Sequence, residues 1–512
     1  MQMNLCNAIC TSVVATCIAF SALAQGLPKA SQPEAVGFSS ERLKRLTSTF
    51  QEDVNKGEIP GAVVLIARNG KVAYFNAFGF QDREKHTPMK TDAIFRIASM
   101  TKPFTSVAAM MLAEEGKLQL LDPVSAYLPE FKNLQVGVEK INSTTGNPEL
   151  SLEPARREMT VQDLLRHTSG LTYGIFGKSL VKQAYNDAKL FDPGQTLAEL
   201  VSKLSKLPLA AQPGTTWDYS MSTDVLGRII EVISGVSLDQ FIADRIAKPI
   251  GLSDTGFYVS EEKAGRIAQP QIDAATGKRP PMPDVAKRPN WMSGGGGIVS
   301  TGSDYVRFAA MMLNGGELDG VRLLSPRTVA FMTSDHLPPN IAFSQVTLMG
   351  FHPEAIAPTP EDGQGFGLGF AVRNQPGRNP LPGSPGEFFW QGLYGTAFWV
   401  DPKEKLVAVL MMQRPRRRQD ITARFFGIWF IRPLWTDALR RGMQHHGLDK
   451  TENSGRLWPW TGALAALFLA AAFLRPSQLT PLNRIWLKFG LLVCTGNLNP
   501  DVVVVKSVED RA

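Results

Sequence analysis

The sequence predicts an α+β fold: an antiparallel sheet flanked by helices, with an all-helical region inserted between its strands. Three observations carry that expectation. Two β-rich runs stand within residues 62–80, mostly helical segments fill the middle, and β-rich runs return after residue 365. Strands early and late with helices between them imply one sheet completed by both ends of the folded region.

The first predicted helix lies in FSSERLKRLTSTFQEDVNKGEIPG. Ser39 or Ser40 supplies a cap, Leu43, Leu46 and Phe50 share a face, and Gly57 ends it. In AVVLIARNGKVAYFNAFGF the β-rich runs flank Asn69-Gly70, a dipeptide suited to the two positive φ angles of a type I′ turn. Ser99 to Glu115 reads as an apolar helix stopped by Gly116, with Pro103 tolerated in its first turns. TVQDLLRHTSG, TLAELVSKLSKLP and STDVLGRIIEVISG follow as helices closed by Gly or Pro, the last with Ser222 as cap. GFGLGFAVR then reads as a strand, and FFWQGLYGTAFWVDPKEKLVAVLMMQ as two β-rich runs joined at Asp401-Pro402.

At 512 residues the chain has room for a large core, and 44% hydrophobic with 20% charged residues matches a folded protein. The formal charge of +7 is small, and much of the excess sits at Arg414, Arg416, Arg417 and Arg418. No aromatic-interleaved basic stripe accompanies it, so nucleic acid is not an expected partner. Residues 1–24 resemble a signal peptide, with an apolar middle ending in Ala-Leu-Ala. Three of four cysteines (Cys6, Cys10, Cys17) lie there; Cys494 alone remains, so no internal disulfide is expected in a secreted or periplasmic product. The expected domain spans residues 25–440, with the helical insertion at roughly 120–290, and 441–512 form an extension. Within that extension, residues 457–474 run 18 long without a charge, a candidate membrane tether followed by Arg475, Arg484 and Lys488.

Ser-x-x-Lys occurs three times, at Ser99–Lys102, Ser179–Lys182 and Ser260–Lys263. The last two sit in polar surroundings. The first opens an apolar helix, where free N–H groups favour an anion and an i, i+3 spacing stacks lysine against serine. A free lysine is almost wholly protonated at neutral pH, so a lysine base must share its proton with a neighbour in a desolvated site. Tyr219, just ahead of the helix in WDYSMSTDVLG, is a candidate to share that proton with Lys102 and Ser99. Gly392 and Gly395 in WQGLYGTAFWVDP mark a place where backbone approaches something closely.

These segments, in this order, resemble the penicillin-recognising serine hydrolases: the class C β-lactamase, D-alanyl-D-alanine peptidase and esterase superfamily. LLRHTSGLTYG, SGGGGIVSTGSDYVRFAAMMLNGGELDG and GFGLGFAV add to the likeness, which spans about residues 35–440 and is strongest toward the carboxylesterase and transesterase branch. The resemblance implies a β-lactamase/transpeptidase-like fold with its site between sheet and helical domain. It places the nucleophile at Ser99, the lysine at Lys102 and the tyrosine at Tyr219, with the N–H groups of Ser99 and Leu393 as oxyanion hole. Substrate-binding positions fall on Met221, Trp390, Gln391 and Gly392. No metal or cofactor is called for, and the partner is a small-molecule ester.

Two departures bear on substrate. Met221 stands where a β-lactamase pattern has asparagine, and Trp390-Gln391-Gly392 lacks its leading lysine. Penicillins and D-alanine peptides carry a carboxylate that such a cation binds, a contact worth about 1.5–3 kcal/mol. The expectation is therefore an esterase working through an acyl-enzyme. The alternatives are a β-lactamase or D-alanyl-D-alanine carboxypeptidase, and a non-catalytic penicillin-binding or sensor protein.

Overall fold

The structure is a computed structural model that describes residues 26–344, 360, 363–379 and 383–414. The predicted signal segment 1–24, the extension 441–512 with its apolar run 457–474, and Arg416 to Arg418 lie outside the described residues.

Eight antiparallel strands form the main sheet: β1 (Gly61–Arg68), β2 (Lys71–Asp82), β3 (Thr87–Pro88), β4 (Gln364–Phe366), β5 (Ala371–Arg373), β6 (Phe388–Gln391), β7 (Ala397–Asp401) and β8 (Leu406–Met412). Their spatial order is β4-β5-β6-β7-β8-β1-β2-β3. The first and last strands are thus neighbours, Ala62 facing Met412 and Arg68 facing Leu406. Asn69 and Gly70 make the tight turn between β1 and β2 at φ 52° and 72°, as their identities required.

The helices are α1 (Ser40–Asn55), α2 (Lys102–Glu114), α3 (Val161–Leu165), α4 (Leu180–Asp187) and α5 (Leu197–Leu204). Then come α6 (Ser222–Ser234), α7 (Leu238–Ile242), α8 (Gly302–Leu313) and α9 (Pro326–Met332). Side chains alternate across the strands, so β1 and β8 each serve two cores. Ala62, Val64 and Ile66 of β1, with Ala408 and Leu410 of β8, pack under Leu43, Leu46 and Phe50 of α1. Burying each of those three large α1 side chains contributes about 1.5–3 kcal/mol. Val63, Leu65, Val407 and Val409 face the opposite way, into the core shared with α2 and α8. There Phe104 of α2 stacks on Phe308 of α8, ring centres 3.8 Å apart, and α6 packs along α2.

Caps follow the sequence signals. Ser39 accepts from the Arg42 amide, and Thr160 and Thr196 form capping boxes with Asp163 and Glu199. Ser222, expected as the cap of α6, is instead its first helical residue, and Met221 holds the cap position without a side-chain bond.

Three other expectations are corrected. GFGLGFAVR is a hairpin of β4 and β5, reversed around Gly369 at φ 100°, rather than one strand. The run beginning at Phe388 holds three strands, because residues 392–396 turn tightly between β6 and β7. The middle region also contains an antiparallel pair, Gln135–Ile141 with Pro148–Pro154, that no strand signal announced. Its side chains are mostly exposed, so the apolar alternation that marks a half-buried strand is missing.

Candidate active site

Ser99 was expected to open an α-helix. It lies instead in a 3₁₀ turn, Ala98–Thr101, that leads into α2. The cause is Pro103: in an α-helix the Ser99 carbonyl would accept from residue 103, and proline has no N–H. That carbonyl takes the Lys102 amide instead. Ala98, just before the serine, has φ 45°, a left-handed conformation that costs a residue with a Cβ of order 1–3 kcal/mol. The surroundings hold it there: Tyr305 donates its hydroxyl to the Met100 carbonyl at 3.1 Å, and Ile97 N–H donates to the Ile298 carbonyl at 3.1 Å.

The glycine-rich stretch 293–298 runs along this turn as a strap. Thr105 Oγ1 donates to the Gly294 carbonyl at 2.8 Å, and Ile298 N–H donates to Thr101 Oγ1 at 3.0 Å. Between them the Lys102 Nζ donates to the Gly295 carbonyl at 2.8 Å. Glycine is needed at 295, since a Cβ there would sit 2.6 Å from Asp224 Oδ2.

Lys102 is 1% exposed. Besides Gly295, its Nζ meets Ser99 Oγ at 3.3 Å and Tyr173 Oη at 3.4 Å. Tyr219, 5% exposed, sets its ring centre 4.5 Å from the same nitrogen. The Tyr219 hydroxyl accepts from Trp390 Nε1 at 3.3 Å. The structure therefore brings Ser99, Lys102 and Tyr219 to one place, with the Tyr173 hydroxyl at the amine and the Tyr219 ring against it. Tyr173, inside LLRHTSGLTYG, was not singled out by sequence. Its partner lies 71 positions away, beyond what local spacing reveals.

In the third segment, Trp390, Gln391 and Leu393 line the cavity in front of Ser99, as does Met221 from the α6 side. The turn that follows β6 bonds Gly392 N–H to Thr396 O and Gly395 N–H to Gly392 O, and neither bond uses the Leu393 amide. Gly392 itself does not line the cavity. A Cβ on it would come 2.2 Å from the Ile97 carbonyl and from Thr396 Oγ1, so this glycine lets the strand end press against the serine turn.

The cavity has a volume of about 660 Å³ and largely apolar walls. Phe176, Phe191 and Trp291 form one side, and Pro281, Met282 and Pro283 form a lip. Arg96 fixes that lip by donating Nε to the Pro283 carbonyl at 2.7 Å. No Lys, Arg or His is among the described residues lining it. Among the described lining residues the one carboxylate is Asp224, which accepts from Ser293 Oγ at 2.7 Å and from Trp291 Nε1 at 3.2 Å. Burial pushes the Asp224 carboxyl up, opposed by Ser293 and by the charge of Lys102. Burial also raises the Tyr173 phenol well above its ordinary value, with the charges of Tyr219 and Asp224 adding to it. His167 is buried with Nδ1 3.1 Å from Ser220 Oγ. Burial first, and the Lys102 charge second, hold it well below the usual imidazole range.

The Beta-lactamase family model matches this chain over residues 46–428. The chain belongs to the Beta-lactamase family. Among its members, an uncharacterized Mycobacterium tuberculosis protein is 37% identical over 372 residues, 72% of this chain and 88% of that protein. Esterase EstB of Burkholderia gladioli is 30% identical over 394 residues, covering 72% and 89%. Of solved structures, EstCE1, described as a hydrolase with promiscuous acyltransferase activity, superposes with a TM-score of 0.62. It is 27% identical, over 76% of this chain and 97% of its own. Such relatives put the chain in the esterase and acyltransferase branch of this Beta-lactamase family.

Proposed function

We propose that the protein is a serine carboxylesterase that cleaves neutral esters through an acyl-enzyme on Ser99. One observation supports this above the rest: the Ser99 hydroxyl lies 3.3 Å from the amine of the buried Lys102, beside an apolar cavity without a cationic side chain among its described lining. Ser99 Oγ attacks the ester carbonyl, and its proton passes to the pair formed by Lys102 and the phenol of Tyr219. Proton transfer of this kind contributes about 10²–10⁴ in rate. The N–H groups of Ser99 and Leu393 hold the tetrahedral oxygen, each donor worth roughly 3 kcal/mol. The phenol returns the proton to the departing alkoxide, and water or another alcohol then removes the acyl group. The acyl transfer attributed to EstCE1 supports an alcohol in that last role.

The lining also argues against a carboxylate-bearing substrate, whose charge would enter an apolar site with no cationic side chain among its described lining. A comparison of a short-chain nitrophenyl ester with a chromogenic cephalosporin tests this. The ester is expected to turn over faster; faster cephalosporin turnover would move the assignment to β-lactam hydrolysis.

A further inference from the structure

The second Ser-x-x-Lys sits in a polar stretch of sequence, yet its lysine is buried. Ser179 caps α4, accepting from the Lys182 amide at 3.0 Å, and the Lys182 side chain turns inward until the residue is only 6% exposed. Its Nζ donates to the Phe176 carbonyl and lies 3.9 Å from Oδ2 of Asp218, which is 2% exposed. One turn further along α4, Asn186 Nδ2 donates to the Gly174 carbonyl at 3.0 Å. α4 thus grips two carbonyls of the segment 173–176.

Both ends of this arrangement reach the active site. The gripped segment begins at Tyr173, whose hydroxyl lies 3.4 Å from Lys102 Nζ, and it places Phe176 in the cavity wall. Asp218 is the peptide neighbour of Tyr219, and its own N–H donates to the His167 carbonyl at 3.0 Å. The hydroxyls of Thr172 and Ser344 also face the Asp218 carboxylate. The rings of Tyr173 and Tyr219 meet with centres 5.4 Å apart.

We propose that Lys182 and Asp218 are positioning residues: a buried ion pair that ties the segment carrying Tyr173 to the segment carrying Tyr219 and so fixes both phenols against Lys102. The proposal rests on the esterase reading above for the chemistry that the phenols serve. Stability alone does not explain the pair, because two charges removed from water seldom do better than apolar residues of the same size. An ammonium with a directed bond to one carbonyl does what an apolar side chain cannot, since it specifies where residue 176 sits.

The test uses the double variant Lys182→Met/Asp218→Asn, which removes both charges and leaves neither buried without a partner. Its thermal midpoint is expected within about 3 °C of the parent, the shift a change of under 1 kcal/mol makes. Amides 172–176 are expected to exchange hydrogen faster than in the parent. The kcat on a nitrophenyl ester is expected to fall at least about ten-fold with KM changed less than about three-fold, since displacing a catalytic group by ~1 Å costs up to 10²-fold. A merely structural pair would instead lower the midpoint and leave kcat per folded molecule intact. Unchanged exchange at 172–176, or a folded double variant with parental kcat, overturns the proposal. Parent protein without ester turnover strikes the esterase reading instead, and the exchange measurement still decides whether the pair holds the segment.

Discussion

Ser99 and Ser179 each stand three residues ahead of a lysine that the fold buries, yet the two lysines end at different partners. Lys102 points its amine back to Ser99 Oγ, across to the Tyr173 hydroxyl and on to Gly295 O. Lys182 sends its amine to a backbone carbonyl and toward an aspartate, while Ser179 spends its oxygen on capping. The third copy is simpler still: Lys263 reaches the Ser253 carbonyl and Asp254 near the surface. The spacing fixes only that serine and lysine share a helical face. What distinguishes the first two pairs is the turn before the helix. At 99 a proline withholds an N–H and the serine stays free of capping; at 179 a regular N-cap engages it.

That contrast can be broken most directly at the lysine. Lys102→Met is expected to lower kcat on a nitrophenyl ester by about 10³-fold, within the range for loss of a general base. A variant retaining parental kcat would leave the two lysines equivalent. The next largest effect distinguishes the phenols. Tyr219→Phe is expected to cost about 10²-fold in kcat and Tyr173→Phe about 10-fold, because without the Tyr173 hydroxyl Lys102 keeps Ser99 and Gly295. The reverse order would transfer the proton-return role to Tyr173.

His167 sharpens the electrostatic side of the comparison, since it lies beneath the Tyr219 ring, with ring centres 4.9 Å apart, and feels the Lys102 charge. Its native value is depressed, so the unfolded chain takes up a proton that the native chain refuses as pH falls through about 6.5. Stability from this residue is therefore present above that pH and lost below it, at up to about 1.4 kcal/mol per pH unit. Asp304 works in the opposite direction: burial pushes its carboxyl up to about 6, so its contribution is lost as pH rises through that value. The His167 contribution is consequently read as the difference between parent and His167→Gln in denaturant melts at pH 7.5 and pH 5.5. Identical pH slopes would contradict it. Smallest of all, Ser179→Ala is expected to cost about 1 kcal/mol of stability, the worth of an N-cap, without abolishing ester turnover.

Much of the frame was legible because its causes are local. Asn69-Gly70 dictated a turn, Ser39 a cap, and Leu43, Leu46 and Phe50 a buried face, and each was found as read. The return of β-rich runs at the end of the domain correctly implied a shared sheet, since β8 lies beside β1. The site was legible only in part. Ser99, Lys102, Tyr219 and the residues around Trp390 stood out through the family resemblance, whereas Tyr173, Asp224 and Gly295 did not. Their significance lies in contacts between segments far apart in sequence, and no periodicity encodes such contacts. The burial of Lys182 was hidden for a related reason: in a polar-looking stretch its carbonyl and carboxylate partners arrive from elsewhere in the chain.

The central claim is that Ser99, and neither of the other serines of this spacing, is the nucleophile. Treatment of the protein with a fluorophosphonate, followed by digestion and mass spectrometry, tests it most directly. The account predicts an adduct on Ser99 alone, with labelling and ester hydrolysis both lost in Ser99→Ala. An adduct on another serine, accompanied by undiminished hydrolysis in Ser99→Ala, would contradict it.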